Sequence, residues 1–357
     1  MDTLEIAGKF ALDGRPLEVK PLGDGFINDT FIVKTDGPFR YILQRKNKSV
    51  FPDVPAMMGN IKAVTEHIKK KVQDPMRETL TVIPTKDGEL CFKDPEGEYW
   101  AVCLFIEDTL TYDVASSPAM ARQGGVGIGR FQSLLADFDK PLAEVIKGFH
   151  NIRWRFAQWD ASIRADKADR VDDVPEEIAF VEGRRGEMLS FWEMVENGTL
   201  PLRVTHNDTK LSNILFDRSS GKVLCAIDLD TVMNSTSLND VGDAIRSYAN
   251  TTFEDDPNYG KVAIRLDMYE AYMDGYLSER KATLSESEKE WLAFAPLYIT
   301  YEQVLRFLMD YIDGDTYYKI KYPEHNLVRT RSQMALLRSM EDAYPDMRKI
   351  VQELLDK

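Results

Sequence analysis

Between Thr205 and Asn213 the chain reads Thr-His-Asn-Asp-Thr-Lys-Leu-Ser-Asn, which sets a carboxylate at Asp208, an ammonium at Lys210 and an amide at Asn213 within one short loop. Two more carboxylates follow in Ile227-Asp228-Leu229-Asp230. Together these groups suit the movement of a phosphoryl group onto a hydroxyl. That reaction needs an acceptor oxygen held in line, a base to take its proton, and cations to neutralise the phosphate oxygens. Asp208 is placed to be the base and Lys210 to balance charge developing at the γ-phosphate. Asn213 and Asp228 offer the hard oxygens that Mg2+ prefers, with Asp230 as a further metal ligand. Taken singly, Asp and Asn beside short strands are ordinary turn formers, and His206 reads as a core histidine. The chemistry lies in their joint occurrence.

The spacing His206-x-Asp208-x-x-x-x-Asn213 is the catalytic-loop pattern of protein-kinase-like folds. Its surroundings agree with that pattern. Leu202 to Thr205, Ile214 to Phe216 and Val223 to Ile227 read as short strands, the last two joined by the turn-forming Asp217-Arg218-Ser219-Ser220-Gly221. A nucleotide site is expected at Gly23-Asp24-Gly25-Phe26-Ile27-Asn28, where a glycine pair lets backbone amides approach phosphates. A dinucleotide-binding fingerprint would continue into a helix, whereas Thr30 to Lys34 is β-branched and aromatic and turns at Asp36-Gly37. A strand-loop-strand lid over ATP follows, with Gly23, Asp24, Gly25 and Asn28 at the cofactor. The basic residue over the phosphates is Arg45 or Lys46, Arg45 being assigned to the cofactor site, and Glu66 is the helix carboxylate. No Asp-Phe-Gly, Ala-Pro-Glu or activation segment follows Asp228, which argues against a protein substrate. Asp240 is placed to cap a helix or to brace the catalytic loop, and Asp243 and Arg246 to pair at i, i+3.

The elements that must position these groups fall into two parts. Residues 1–107 read as a β-rich, nucleotide-binding lobe: Phe31 to Lys34, Tyr41 to Gln44, Thr81 to Ile83 and Tyr99 to Ile106 are strand-like. One helix interrupts them from about Val54 to Lys71, with Met57, Met58, Ile61, Val64 and Ile68 on one face. Residues 108–357 read as a mainly helical lobe, with amphipathic stretches over Pro118 to Asp137, Glu176 to Asn197, Arg265 to Leu277, Ser285 to Met309 and Thr330 to Leu355. Ala165 to Glu177 reads as a surface connection. The fold class is thus α+β, a two-lobed protein-kinase-like fold.

Composition narrows the partners. A formal net charge of −14 argues against nucleic acid or an anionic membrane surface, both of which need a basic face. With 43% hydrophobic residues in 357, the chain can bury a core without staples, so Cys91, Cys103 and Cys225, which share no metal or redox spacing, are expected reduced. The start Met1-Asp2-Thr3-Leu4-Glu5 lacks the features of a signal peptide, and a cytoplasmic location is expected. A monomer is compatible with these observations.

At this point the chain resembles the N-acetylhexosamine 1-kinases, a bacterial branch of the aminoglycoside phosphotransferase and choline kinase superfamily. The likeness runs through Gly23 to Asn28, Tyr41-Ile42-Leu43-Gln44, Pro201 to Leu215, Ile227 to Thr231 and Phe307 to Tyr311. It ends on Lys321-Tyr322-Pro323-Glu324-His325-Asn326-Leu327-Val328-Arg329-Thr330-Arg331, a long string with no generic reason to recur. The resemblance implies ATP- and Mg2+-dependent phosphorylation of the anomeric hydroxyl of N-acetylglucosamine or N-acetylgalactosamine, as in amino-sugar salvage. It places Asp208 at the anomeric oxygen and Arg306 and Tyr317 near the sugar. Two positions depart from the family pattern: Phe26 stands where a histidine is familiar, and Ser247-Tyr248 where an aromatic-glycine pair is familiar. Kinases of other small alcohols (aminoglycosides, choline, homoserine) share the same apparatus, and an inactive nucleotide-binding regulator is the alternative from another class.

Overall fold

Alternating β-branched and aromatic residues between Thr30 and Leu104 build an antiparallel sheet, the arrangement such a pattern stabilises when one face is buried. The protein is seen in a computed structural model that describes residues 1–23 and 27–357. In chain order the elements are α1 (Thr3–Ala7), β1 (Pro16–Pro21), β2 (Asp29–Thr35), β3 (Arg40–Lys46), α2 (Val54–Lys69), β4 (Val82–Ile83), β5 (Phe92–Lys93), β6 (Tyr99–Leu104) and β7 (Thr109–Leu110). Then come α3 (Pro118–Leu134), α4 (Ile152–Ala165), α5 (Pro175–Glu196), β8 (Leu202–Thr205), β9 (Ile214–Asp217), β10 (Val223–Ala226), β11 (Met233–Thr236), α6 (Ser237–Tyr248), α7 (Leu266–Arg280), α8 (Glu286–Trp291), α9 (Ala295–Ile312) and α10 (His325–Asp356). The chain divides into two compact units, described in turn.

The first unit comprises Met1–Thr111, Leu134–Lys147 and Asn213–Asn234. Its larger sheet runs β1-β2-β3-β6-β4, with β5 also paired to β6. Val33, Tyr41, Leu43, Trp100 and Val102 are buried together with Ile6 and Phe10 from the N-terminal helix region. A smaller sheet, β10-β9-β7, buries Ile106, Leu215 and Cys225. That pairing of β9 to Thr109–Leu110 brings residues 213–234 into this unit, so its composition differs from the division expected at 107/108. Among the described residues Cys91, Cys103 and Cys225 form no disulfide.

The second unit, Tyr112–Ser133, Gly148–Ser212 and Ser235–Lys357, is mainly helical. At its centre α9 is buried on almost every side, its polar Glu302, Gln303 and Asp310 included. Glycines in α3 allow backbone to meet backbone: a Cβ on Gly125 would lie 2.1 Å from the carbonyl oxygen of Tyr272 in α7. The single helix expected over Ser285 to Met309 is two, because Pro296 occupies a first-turn position of α9 and suits a helix start. Helix α4, rich in arginine, was not expected; it buries Ile152, Phe156 and Trp159 and ends on Asp166 in a left-handed conformation. Among the described residues no helix is long and apolar enough to cross a membrane.

Candidate active site

In the first unit, strand parity puts the two bases of β3 on opposite faces of the sheet. Tyr41 and Leu43 point into the core, so alternation puts Arg45 on their face and Gln44 with Lys46 on the other. Lys46 Nζ lies 2.7 and 2.9 Å from the two carboxylate oxygens of Asp230 and 2.7 Å from Gln44 Oε1. Asn28 donates from Nδ2 to Asp230 at 2.7 Å, and its Oδ1 accepts from the Asn47 amide at 3.0 Å. Lys46, Asp230 and Asn28 are all buried. Arg45 instead pairs with the surface carboxylate of Asp29 and lies 6.0 Å from the centroid of the Trp100 ring. The arginine assigned to the cofactor is therefore not brought to this cluster, whereas its neighbour is. Glu66 pairs with Lys62 and Lys69 of its own helix, each at 3.0 Å, which explains a carboxyl held below its ordinary value. Close by, burial pushes the Cys103 thiol up to about 11.

Asn213 and Asp228 sit at one end of the β9–β10 hairpin: Ala226 is opposite Ile214, and the Ile227 amide donates to the Asn213 carbonyl at 2.8 Å. Asp228 takes φ 57°, a left-handed conformation that aspartate tolerates, and opens the short turn Leu229–Thr231. An amide and a carboxylate are oxygen donors of the hardness and small number that Mg2+ accepts when phosphates and water complete its shell. Asp230, the third expected ligand, is engaged by Lys46 and Asn28. Gly23 adopts φ 69°. Asp24, Gly25 and Phe26 lie outside the described residues.

In the second unit a buried carboxylate organises the catalytic loop. Asp240, wholly buried in the first turn of α6, accepts from the His206 amide at 3.0 Å, the Asn207 amide at 2.7 Å and Gln132 Nε2 at 2.8 Å. Burial pushes its carboxyl up, against the pull of His206 and these donors. The bracing role is the one realised; the α6 N-cap is Thr236. Two residues past Asn207, Thr209 donates from its amide to Asp243 at 2.8 Å, and Asp243 pairs with Arg246 at 3.3 Å, the spacing expected. Asn207 is left-handed at φ 65°, which turns the chain sharply just before Asp208. The Asp208 carboxylate is partly exposed and receives Lys210 Nζ at 2.9 Å, so the two catalytic candidates of the loop are in contact.

A further group lies along α9. The Arg306 guanidinium is 5.6 Å from the ring centroids of Phe149 and Tyr318 and 5.8 Å from that of Tyr317. Burial works against its charge, and the phenols of Tyr318 and Tyr317 and the Glu302 carboxylate outweigh it, so it is held firmly protonated. Tyr317 itself is 60% exposed. Its segment is held by Asp310, whose carboxylate accepts from the amides of Thr316, Tyr317 and Tyr318 at 2.9, 2.7 and 3.0 Å and from Asn326 Nδ2 at 2.8 Å. In the sequence Asp310 is marked only by lying in the Phe307 to Tyr311 stretch of the resemblance, with no role attached to it.

The model of the phosphotransferase enzyme family matches residues 18–280. Among solved structures, the microcompartment-associated aminopropanol kinase is 17% identical, with a TM-score of 0.64 over 97% of each chain. An aminoglycoside phosphotransferase from Alicyclobacillus acidocaldarius subsp. acidocaldarius is 12% identical, with a TM-score of 0.64 over 99% of this chain and 97% of that one. A spectinomycin phosphotransferase solved with ADP and spectinomycin is 12% identical, with a TM-score of 0.57 over 98% of this chain and 97% of that one. At these identities the likeness is one of fold, and it matches the α+β, kinase-like architecture expected.

Proposed function

This chain belongs to the phosphotransferase enzyme family and has the fold of small-molecule kinases, and we propose that it moves the γ-phosphate of ATP onto the anomeric hydroxyl of an N-acetylhexosamine. The observation that carries the reading is the clamped loop: Asp240 holds two successive amides, and the next residue is Asp208 with Lys210 upon it. Asp208 takes the proton of the attacking hydroxyl and orients it. Lys210 is the cation available to a developing negative charge once it leaves the Asp208 carboxylate. Lys46, rather than Arg45, is the base set toward the nucleotide phosphates, poised by Asp230 and Gln44; Gly23 and Asn28 belong to the same nucleotide end of the first unit. Asn213 and Asp228 would hold Mg2+, and Asp230 serves the lysine first. When bound, Mg2+ neutralises charge on the phosphate oxygens.

The choice of acceptor rests on the resemblance, and the structure is compatible with it. Arg306 and Tyr317 are neighbours, and the string from Lys321 to Arg331 anchors the segment that carries Tyr317. Of the two departures from the family pattern, Tyr248 is buried with its ring packed on Tyr272 at 5.4 Å, so it belongs to the interior. Phe26 remains, and it favours a second reading, a kinase of another small alcohol whose pocket accepts an apolar ring in place of imidazole. The test is ADP release with ATP and Mg2+ over a panel of N-acetylglucosamine, N-acetylgalactosamine, glucose, galactose, choline, homoserine and kanamycin, with 31P NMR of the product and an Asp208→Asn control. Best turnover of the N-acetylhexosamines to a 1-phosphate supports the reading. Preference for another acceptor transfers it to the second, and no turnover at all leaves a nucleotide-binding regulator.

A further inference from the structure

His150 and Glu302 belong to none of the roles assigned above, yet they touch the catalytic loop. His150 lies between α3 and α4 in sequence and is buried, with φ 56°. Its Nδ1 is 2.6 Å from Glu302 Oε2, and its Nε2 is 3.3 Å from the carbonyl oxygen of Asn207. The other oxygen of Glu302 accepts from Arg155 Nε at 3.2 Å. Helix α9 grips the backbone of His150 as well, since the Tyr298 hydroxyl donates to its carbonyl at 2.8 Å.

Both ring nitrogens therefore face acceptors. A carbonyl oxygen cannot donate, and Glu302, whose other oxygen is paired with the Arg155 guanidinium, stands as the carboxylate that this ion pair requires. Only the imidazolium has two N–H groups to give, so only that form satisfies both contacts. The charged and titratable groups about the ring are Glu302 and Tyr298 from α9 and Arg155 from α4, with Arg306 of α9 beyond the Phe149 ring. The oxygen it holds is an informative one. Asp240 fixes the N–H of Asn207, and His150 fixes its C=O. That carbonyl shares a rigid plane with the amide of Asp208, so a donor on it sets the direction in which Asp208 leaves the left-handed turn.

We propose that His150 and Glu302 form a positioning pair for the catalytic base: Glu302, supported by Arg155, keeps the His150 imidazolium donating to the Asn207 carbonyl and so aims the Asp208 carboxylate. The inference rests on the reading of Asp208 as base. Two measurements on the full chain test it. The first is kinetics of His150→Gln, Glu302→Gln and Asp208→Asn with ATP, Mg2+ and N-acetylglucosamine. For the first two, a fall in kcat of about tenfold or more is expected, with KM for ATP changed by less than about twofold, because aim and not nucleotide binding is disturbed. The second is long-range 1H–15N NMR of the protein labelled at its four histidines, with His150 assigned by its loss in His150→Gln. The folded protein should show His150 protonated at both nitrogens. A neutral His150 overturns the proposal, and this reading needs no variant of Glu302 to fold. Folded His150→Gln with wild-type kcat beside an inert Asp208→Asn also refutes the pair, whereas near-normal turnover by Asp208→Asn refutes the base assignment and the proposal with it.

Discussion

Replacing Lys46 by methionine keeps the apolar stem and removes the charge. The ammonium spends its three protons on Gln44 and on both oxygens of Asp230, at 2.7 to 2.9 Å, and the two side chains are 3% and 6% exposed. Without it, the Asp230 carboxylate stays buried with the Asn28 amide as its named donor. Breaking one side of a buried ion pair costs about 3 to 5 kcal/mol, most of it the uncompensated charge. Asp230→Asn should cost a similar amount by stranding the ammonium. In Lys46→Met/Asp230→Asn no charge remains, so the loss should be smaller than the sum of the singles by about 2 kcal/mol or more. Urea midpoints at constant m-value measure the three losses. Steady-state assays of Lys46→Met should show KM for ATP raised about tenfold or more with KM for the acceptor unchanged. Additive losses below about 1 kcal/mol each would refute the mutual compensation of the pair. A wild-type KM for ATP would refute the orientation of Lys46 toward the nucleotide.

Arg45→Ala is the matching control: its pair with Asp29 is half-exposed and worth less than about 1 kcal/mol, and KM for ATP should move less than about twofold, a larger rise restoring Arg45 to the phosphates. Asp310→Asn removes a charged acceptor from three amides and replaces one of its oxygens with a donor. A loss of about 3 kcal/mol in urea is expected, with KM for the acceptor raised and KM for ATP unmoved, because Tyr317 loses its anchor. The Glu302 carboxyl is held at about 2 against an ordinary 4.5, so its contribution is complete above that ordinary value and lost as pH falls toward 2. The gap amounts to about 3 kcal/mol, and urea midpoints taken between pH 6 and pH 3 should fall less steeply in Glu302→Gln than in the parent.

Strands β2, β3, β4 and β6 were legible because each is a run of β-branched and aromatic residues that suits a half-buried sheet, whereas β1 is bounded by prolines and β5 and β7 are too short to carry a pattern; α2 was legible because five apolar residues fall on one of its faces. Helix α4 was not, since Arg153 and Arg155 interleave with Ile152 and Phe156 and mask the stripe. The choice between Arg45 and Lys46 was within reach: Tyr41 and Leu43 mark the core face, and parity alone then sends position 46 the other way. Asp230 could not be resolved in the same manner. Read locally it is a metal-type carboxylate two residues from Asp228, and its partner is 184 residues away.

The string Lys321 to Arg331 shows the difference between a signal and its cause. It carries the most specific likeness in the sequence, and in the fold its side chains clamp structure: His325 Nε2 is 3.0 Å from Asp255, Asn326 donates to Asp310 and Asp315, and Arg331 pairs with Glu177 at 2.6 Å. A buried polar network tolerates few substitutions, because each change strands a partner. Through Asp310 this network holds the segment that bears Tyr317. The same logic applies to the catalytic loop. Spacing places Asp208, Lys210 and Asn213, but the loop is held by Asp240 and His150, on opposite sides of it in the chain and 33 and 57 residues from Asn207. Asp240 was within reach of a local reading as a brace, whereas His150 stayed unmarked, since holding a loop needs contact in space and imposes no spacing along the chain.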